Sequence, residues 1–112
     1  MVKLILLLTR RQGMSVDEFR QYARERHVPV LLQLPGLQRL VINFAEPDQT
    51  GPPPYDAIAE DWFESFEAMG AAFQSPPGKA VEADAVNFLD MSKFQAIPVI
   101  EEEAAITSRP LL

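Results

Sequence analysis

Val2 to Thr9 is a continuous apolar run closed by Arg10, Arg11 and then Gln12-Gly13, and at this length it predicts a strand buried on both faces. Ser15 with Glu18 three residues on has the form of a capping box. Val16, Phe19 and Ala23 recur at helical spacing behind it, so a helix is predicted over about 16 to 27. Pro29 cannot donate to Glu25 and turns Val28 away from helical angles. The regular helix is therefore expected to end or kink near His27, before a last turn over 30 to 34.

Pro35-Gly36 breaks the chain, after which Leu37 to Ala45 alternates, with Leu40, Ile42 and Phe44 on one side and Arg39, Val41 and Asn43 on the other. Residues 46 to 54 hold four prolines and a glycine, a long stiff connection rather than a tight hairpin. Tyr55 to Phe63 reads as a third strand, with Tyr55, Ala57, Ala59, Asp61 and Phe63 facing one way and Asp56, Ile58, Glu60 and Trp62 the other. Ser65 caps a short helix through Phe66, Met69, Ala72 and Phe73, which Ser75-Pro76-Pro77-Gly78 stops before a further turn or two over 79 to 85. Phe88 to Ile97 reads as strand four, and an acidic, then apolar tail follows from Pro98.

The order β-α-β-β-α-β is the ferredoxin-like α+β arrangement, a four-stranded antiparallel sheet with both helices on one face, spanning 1–97 with 98–112 as a C-terminal tail. Strands one to three carry large apolar groups outward as well, so the open face needs a cover. A second copy is the simplest one, giving a sheet-to-sheet homodimer that closes into an α/β barrel.

Composition narrows the chemistry. The 112 residues are 47% hydrophobic and 23% charged, enough apolar material for one folded core. There is no cysteine and only one histidine, which removes disulfides, thiol catalysis, iron–sulfur ligation and multi-histidine metal centres, and no cofactor fingerprint is present. The net charge of −6 disfavours nucleic acid. Residues 1–39 hold seven basic and three acidic groups, against three basic and thirteen acidic in 40–112, so the two segments attract. Leu4 to Leu8 is too short for a signal core or a membrane span, and the expected location is cytoplasmic.

Val2 to Leu8 with Arg10, Ser15 to Phe19, Tyr22, Arg24-Glu25, His27, Pro29, Leu34-Pro35-Gly36-Leu37, Pro54-Tyr55-Asp56, Ala59-Glu60 and Trp62-Phe63 together resemble the EthD family of the dimeric α/β-barrel superfamily. The His-x-Pro followed by Leu-Pro-Gly-Leu is the most specific part. The resemblance implies a ferredoxin-like protomer, sheet-to-sheet dimerisation and a ligand-sized pocket between sheet and helices. Its chemistry ranges over ether-degradation components, lactone isomerases and polyketide-tailoring dehydratases or cyclases. Family members commonly place a tryptophan after Tyr22, whereas Ala23 stands here, which implies a wider or differently shaped pocket.

His27 is the first candidate for catalysis, since imidazole titrates near neutral pH and can move a proton on an acidic carbon; its structural alternative is to cap helix-end carbonyls. Glu60 and Asp61 face opposite sides of their strand, so only one of them can face a given pocket. Glu60, beside Ile58 and Trp62, is taken as the second catalytic candidate, with its pKa expected to be raised by apolar neighbours. Tyr22, Ala23, Arg39, Asn43, Tyr55 and Trp62 are candidate ligand contacts, and Arg39 has a competing role in pairing with Asp61 or Asp90. The leading reading is a cofactor-independent isomerase, cyclase or dehydratase acting on a small hydrophobic carbonyl or aromatic compound. The alternatives are a non-catalytic binding or accessory dimer, a cofactorless monooxygenase, and a haem protein with His27 as axial ligand.

Overall fold

The structure, a computed structural model, describes residues 1–107. Strand β1 is Val2–Leu8, followed by helix α1 (Val16–Tyr22), a π-helical stretch Ala23–His27 and the short helix α2 (Val28–Leu31). Strands β2 (Arg39–Phe44) and β3 (Ala57–Phe63) precede helices α3 (Phe66–Gln74) and α4 (Pro76–Ala85) and strand β4 (Gln95–Ile100). The four strands form one antiparallel sheet in the order β2-β3-β1-β4, the topology the sequence predicts. No helix among the described residues is long and apolar enough to cross a membrane.

The first helix begins as expected. The Ser15 side chain accepts from the Glu18 amide and the Glu18 carboxylate accepts from the Ser15 amide. Regularity is lost before His27, as expected: α1 ends at Tyr22 and the chain widens by one residue per turn, with the Val28 amide bonding the Ala23 carbonyl. Val28 nevertheless stays helical, at φ −54° and ψ −45°, instead of turning away, and Pro29 lies in the first turn of α2. The π stretch removes the demand for a donor that Pro29 lacks and lets the rod continue. Past it, Gly36 takes a positive φ of 78°, the left-handed conformation that ends the helical arm before β2.

Two further expectations shift. Strand β4 starts at Gln95 rather than Phe88, because Phe88 and Leu89 are buried in the core and Asp90 turns the chain by accepting from the Ser92 amide and hydroxyl. It also runs through Pro98 to Ile100, past the expected domain boundary at 97, with Pro98 tolerated on an edge strand. Residues 108–112 of the expected tail lie outside the described residues. Helix α4 is a full helix rather than a turn or two. Pro76 opens it, the Ser75 hydroxyl accepts from the Gly78 amide, and Gly78 sits against the Ala72 and Phe73 carbonyls.

Leu4, Leu6, Leu40, Ile42, Phe44, Ala57, Ala59 and Phe63 face the helices, and the core there forms two clusters. One gathers Phe19, Ala23, Ala57, Ala59, Ala85 and Phe88; the other gathers Leu31, Leu34, Phe63, Met69 and Val81. The opposite face carries Ile5, Leu7, Val41, Ile58, Ile97 and Val99, with no helix of the described residues over it.

A Cβ at position 78 would meet backbone oxygens, whereas nothing lies within 4 Å of one at position 70 in α3. Gly78→Ala is expected to destabilise by ~1–3 kcal/mol, and Gly70→Ala to stabilise by ~0.5–1 kcal/mol, both read from urea unfolding. Equal effects at the two positions would refute the tight α3–α4 junction.

Candidate active site

The two core clusters do not meet. Between them, under the helices, is a cavity of ≈ 270 Å³ lined by Leu4, Leu6, Ala59 and Asp61 of the sheet, Ala23, His27 and Leu31 of the first helical arm, and Val81, Ala85 and Phe88 of the second. Exposed Glu82, Met91 and Ala96 lie on the same wall and mark its solvent side. The wall is almost wholly apolar, and its titratable side chains are His27, Asp61 and Glu82.

His27 closes the π stretch, and its imidazole is buried against the Phe88 ring at 4.6 Å between centroids. Its Nδ1 is 2.7 Å from Asp84 Oδ2, while the Tyr22 hydroxyl donates to Asp84 Oδ1 at 2.6 Å and the Asn87 amide donates to the same oxygen at 3.2 Å. In an α-helix, residues five apart point about 140° away from each other. The π turn between Tyr22 and His27 reduces that angle and brings both onto one carboxylate of α4. Burial lowers the His27 pKa below its ordinary value, outweighing the pull of Asp84 in the other direction. Burial pushes Asp84 up, but the donors Tyr22, His27 and Asn87 more than offset it and hold the carboxyl below its usual value. The pair is therefore neutral imidazole and carboxylate: Nδ1–H donates to Asp84, and Nε2 keeps its lone pair.

Asp61 lies in register between Leu4 of β1 and Leu40 of β2, 1% exposed, and neither carboxylate oxygen has a hydrogen-bond partner. Burial alone raises its pKa to about 7. Glu60, the expected acid, is one residue away and therefore on the other face of the sheet. Its carboxylate takes the Lys3 ammonium at 2.8 Å and the Asn43 amide at 3.0 Å, which hold its pKa below the ordinary value rather than above it. The carboxyl that burial raises is thus Asp61, because the helices cover its side of β3 and not the side of Glu60.

The other candidates separate likewise. Ala23 lines the cavity with His27, and Tyr22 stands behind them on Asp84 with its ring stacked on Phe88. Arg39, Asn43 and Trp62 are on the open face: the Arg39 guanidinium lies 4.5 Å from the centre of the Trp62 ring instead of pairing with Asp61 or Asp90, and the Trp62 indole donates to Glu101. Tyr55 borders a wider, open cleft of ≈ 820 Å³, lined by charged residues of which Arg10 pairs with Asp56 and Arg20 with Glu46. Among the described residues no three His, Asp or Glu side chains gather in a metal-holding group. Asp84 is the residue that sequence reasoning misses; its signal was Pro29 two places after His27, which favours a widened turn and so a shared partner for Tyr22 and His27.

The profile of the EthD domain matches residues 11–92. A protein of Rhodococcus erythropolis, described as an uncharacterized 11.0 kDa protein in the thcB-thcC intergenic region, is 34% identical over 70 residues, 62% of this chain and 68% of that one. A crystal structure of an ethyl tert-butyl ether d (ethd) family protein from Bacillus halodurans superposes with a TM-score of 0.80 at 22% identity, covering 91% of this chain and 99% of the other. A dimeric ferredoxin-like protein of unknown function from Thermobifida fusca gives a TM-score of 0.67 at 13% identity over 88% of each chain. SnoaB, a cofactor-independent oxygenase from Streptomyces nogalater, gives 0.64 at 14% identity over 92% and 94%. At these identities the solved structures speak for the fold.

A carboxyl raised from 3.8 to about 7 on folding means that the native state holds a proton the unfolded chain has lost. Stability contributed by Asp61 therefore falls as pH rises through that window. Asp61→Asn is expected to gain roughly 2–3 kcal/mol more over the wild type at pH 8 than at pH 5. Urea unfolding at the two pH values checks this, and a gain independent of pH would show that Asp61 is not the buried acid described.

Proposed function

The chain belongs to the EthD family, and from that membership and the cavity geometry we propose that it is a cofactor-independent proton-transfer enzyme of the isomerase, cyclase or dehydratase type, acting on a small hydrophobic carbonyl or aromatic compound. The observation that carries this is the His27–Asp84 bond at the wall of an apolar cavity whose other buried polar group, Asp61, has no partner. Nε2 of neutral His27 takes a proton from an acidic C–H. The C–H electron pair moves into the carbonyl and onto its oxygen, and the protonated Asp61 carboxyl hydrogen-bonds that oxygen. In a β,γ-unsaturated carbonyl the enolate oxygen then re-forms C=O, the enolate C=C pair moves to the α,β bond, and the β,γ π pair takes the proton from Nε2 at the γ-carbon, which completes an isomerisation. Asp84, with Tyr22 and Asn87 behind it, positions the ring and fixes its tautomer. Glu60 has no part in this cycle.

The test is hydrogen exchange. Small cyclic ketones and lactones incubated with the protein in D2O should gain deuterium at the α-carbon, read by proton NMR, and His27→Gln should lower that rate at least ~100-fold while keeping its fold. Exchange undiminished in the variant would sink the catalytic role of His27, and no exchange with any compound would favour the non-catalytic binding reading.

The same reading includes a sheet-to-sheet homodimer. It is supported by the uncovered row of Ile5, Leu7, Val41, Ile58, Ile97 and Val99, of which Ile58 and Ile97 are 38% and 43% exposed, and by the dimeric description of a structural neighbour. Light scattering at micromolar concentration is expected to give twice the 12.6 kDa of the chain, and the double variant Ile58→Lys, Ile97→Lys half that value. A wild-type monomer at that dilution would refute the pairing.

A further inference from the structure

The charge distribution inside the cavity restricts what it can hold. Among the described residues its wall contains no lysine or arginine, and the ionisable groups that line it with Asp61 are His27 from the π stretch and Glu82 from α4, while the strand neighbours of Asp61 are Leu4 and Leu40. His27 already spends one nitrogen on Asp84. A ligand carboxylate would thus enter a low-dielectric space with acidic groups and no cation. Both Asp61 oxygens, by contrast, are buried without a partner, an arrangement that a ligand group would complete.

We infer that the cavity selects uncharged ring compounds and that Asp61 is the selecting residue, holding a phenol- or enol-type hydroxyl and rejecting carboxylates. A hydroxyl suits this position because it both donates and accepts, and so matches Asp61 in either protonation state, both of which are populated near neutral pH. An ammonium can only donate and a ketone oxygen can only accept. Size agrees: a cavity of about 150 Å³ holds benzene, and ≈ 270 Å³ leaves room for one substituted ring. The identity of the held oxygen as the one that alternates between carbonyl and enol rests on the proton-transfer reading above; the selection by charge does not.

Calorimetric titration at pH 7 with p-cresol, toluene, benzoate and benzylamine tests the inference on the intact protein. The wild type is expected to bind p-cresol at least ~10-fold more tightly than toluene, with no saturable binding of benzoate and weaker binding of benzylamine than of p-cresol. Asp61→Leu, which removes a buried unpaired group, should bring the p-cresol and toluene affinities together. The inference is overturned if the wild-type ratio is within twofold, if benzoate or benzylamine matches p-cresol, if none of the four binds, or if Asp61→Leu keeps the preference. His27→Gln separates the two claims. Retained deuterium exchange in that variant removes the catalytic reading and leaves the selection standing, whereas lost exchange without a p-cresol preference in the wild type removes the selection alone.

Discussion

The space between helices and sheet is unfilled at the centre, because the side chains that border it there are small. Ala59 of β3, Ala23 of the π stretch and Ala85 of α4 all border the same empty space, and around it the core separates into a Phe19–Phe88 half and a Phe63–Met69 half. Unfilled volume lowers stability, and so does an unpaired buried carboxyl. This fold places both costs at one point, with Asp61 and His27 on opposite layers of the same gap. That coincidence of a packing defect with a polar one is what the proposed ligand site rests on.

The two polar groups of the gap are treated in opposite ways. His27 is tied to a carboxylate that itself takes a tyrosine and an asparagine, so its ring has one orientation and one tautomer. Asp61 is tied to nothing. Burial drives the imidazole toward its neutral form and the carboxyl toward its acid form, which leaves a fixed base and an uncommitted acid in one apolar chamber near neutral pH. Titratable groups whose surroundings push their pKa values in opposite directions are what the proposed proton transfer requires of its base and its acid.

Much of the fold was legible from spacing alone. The capping box at Ser15, the alternation of β2 and β3 and the breaks at Pro35-Gly36 and residues 46–54 placed every strand but the last. That strand was misplaced because Phe88 and Leu89 are apolar for a different reason, filling the core from a turn instead of alternating along a sheet. His27 was legible as a candidate, and it does line the cavity. Its partner was not, since α4 meets the π stretch only in three dimensions and Asp84 looks in sequence like one more acidic residue of a solvated helix. Which of Glu60 and Asp61 has its pKa raised turned on which face of β3 the helices cover, and the apolar neighbours Ile58 and Trp62 did not reveal it, because here both faces of the sheet are apolar.

Asp61 stays on the helix face only while β3 keeps its register, since a slip of one residue would exchange it for Glu60 or Trp62. The open face supplies the lock. Trp62 is opposite Lys3 on one side and Arg39 on the other, with the Lys3 ammonium 4.7 Å and the Arg39 guanidinium 4.5 Å from its ring centre. Lys3 also bridges Glu60 at 2.8 Å and Glu101, just beyond β4, at 3.1 Å, so one ammonium ties three strands in a single alignment. Leu4 and Leu40, which flank Asp61 on the other side, belong to those same aligned strands. The polar cluster of candidate ligand contacts therefore lies on the opposite face, where it fixes the alternation that turns a lone carboxyl toward the cavity.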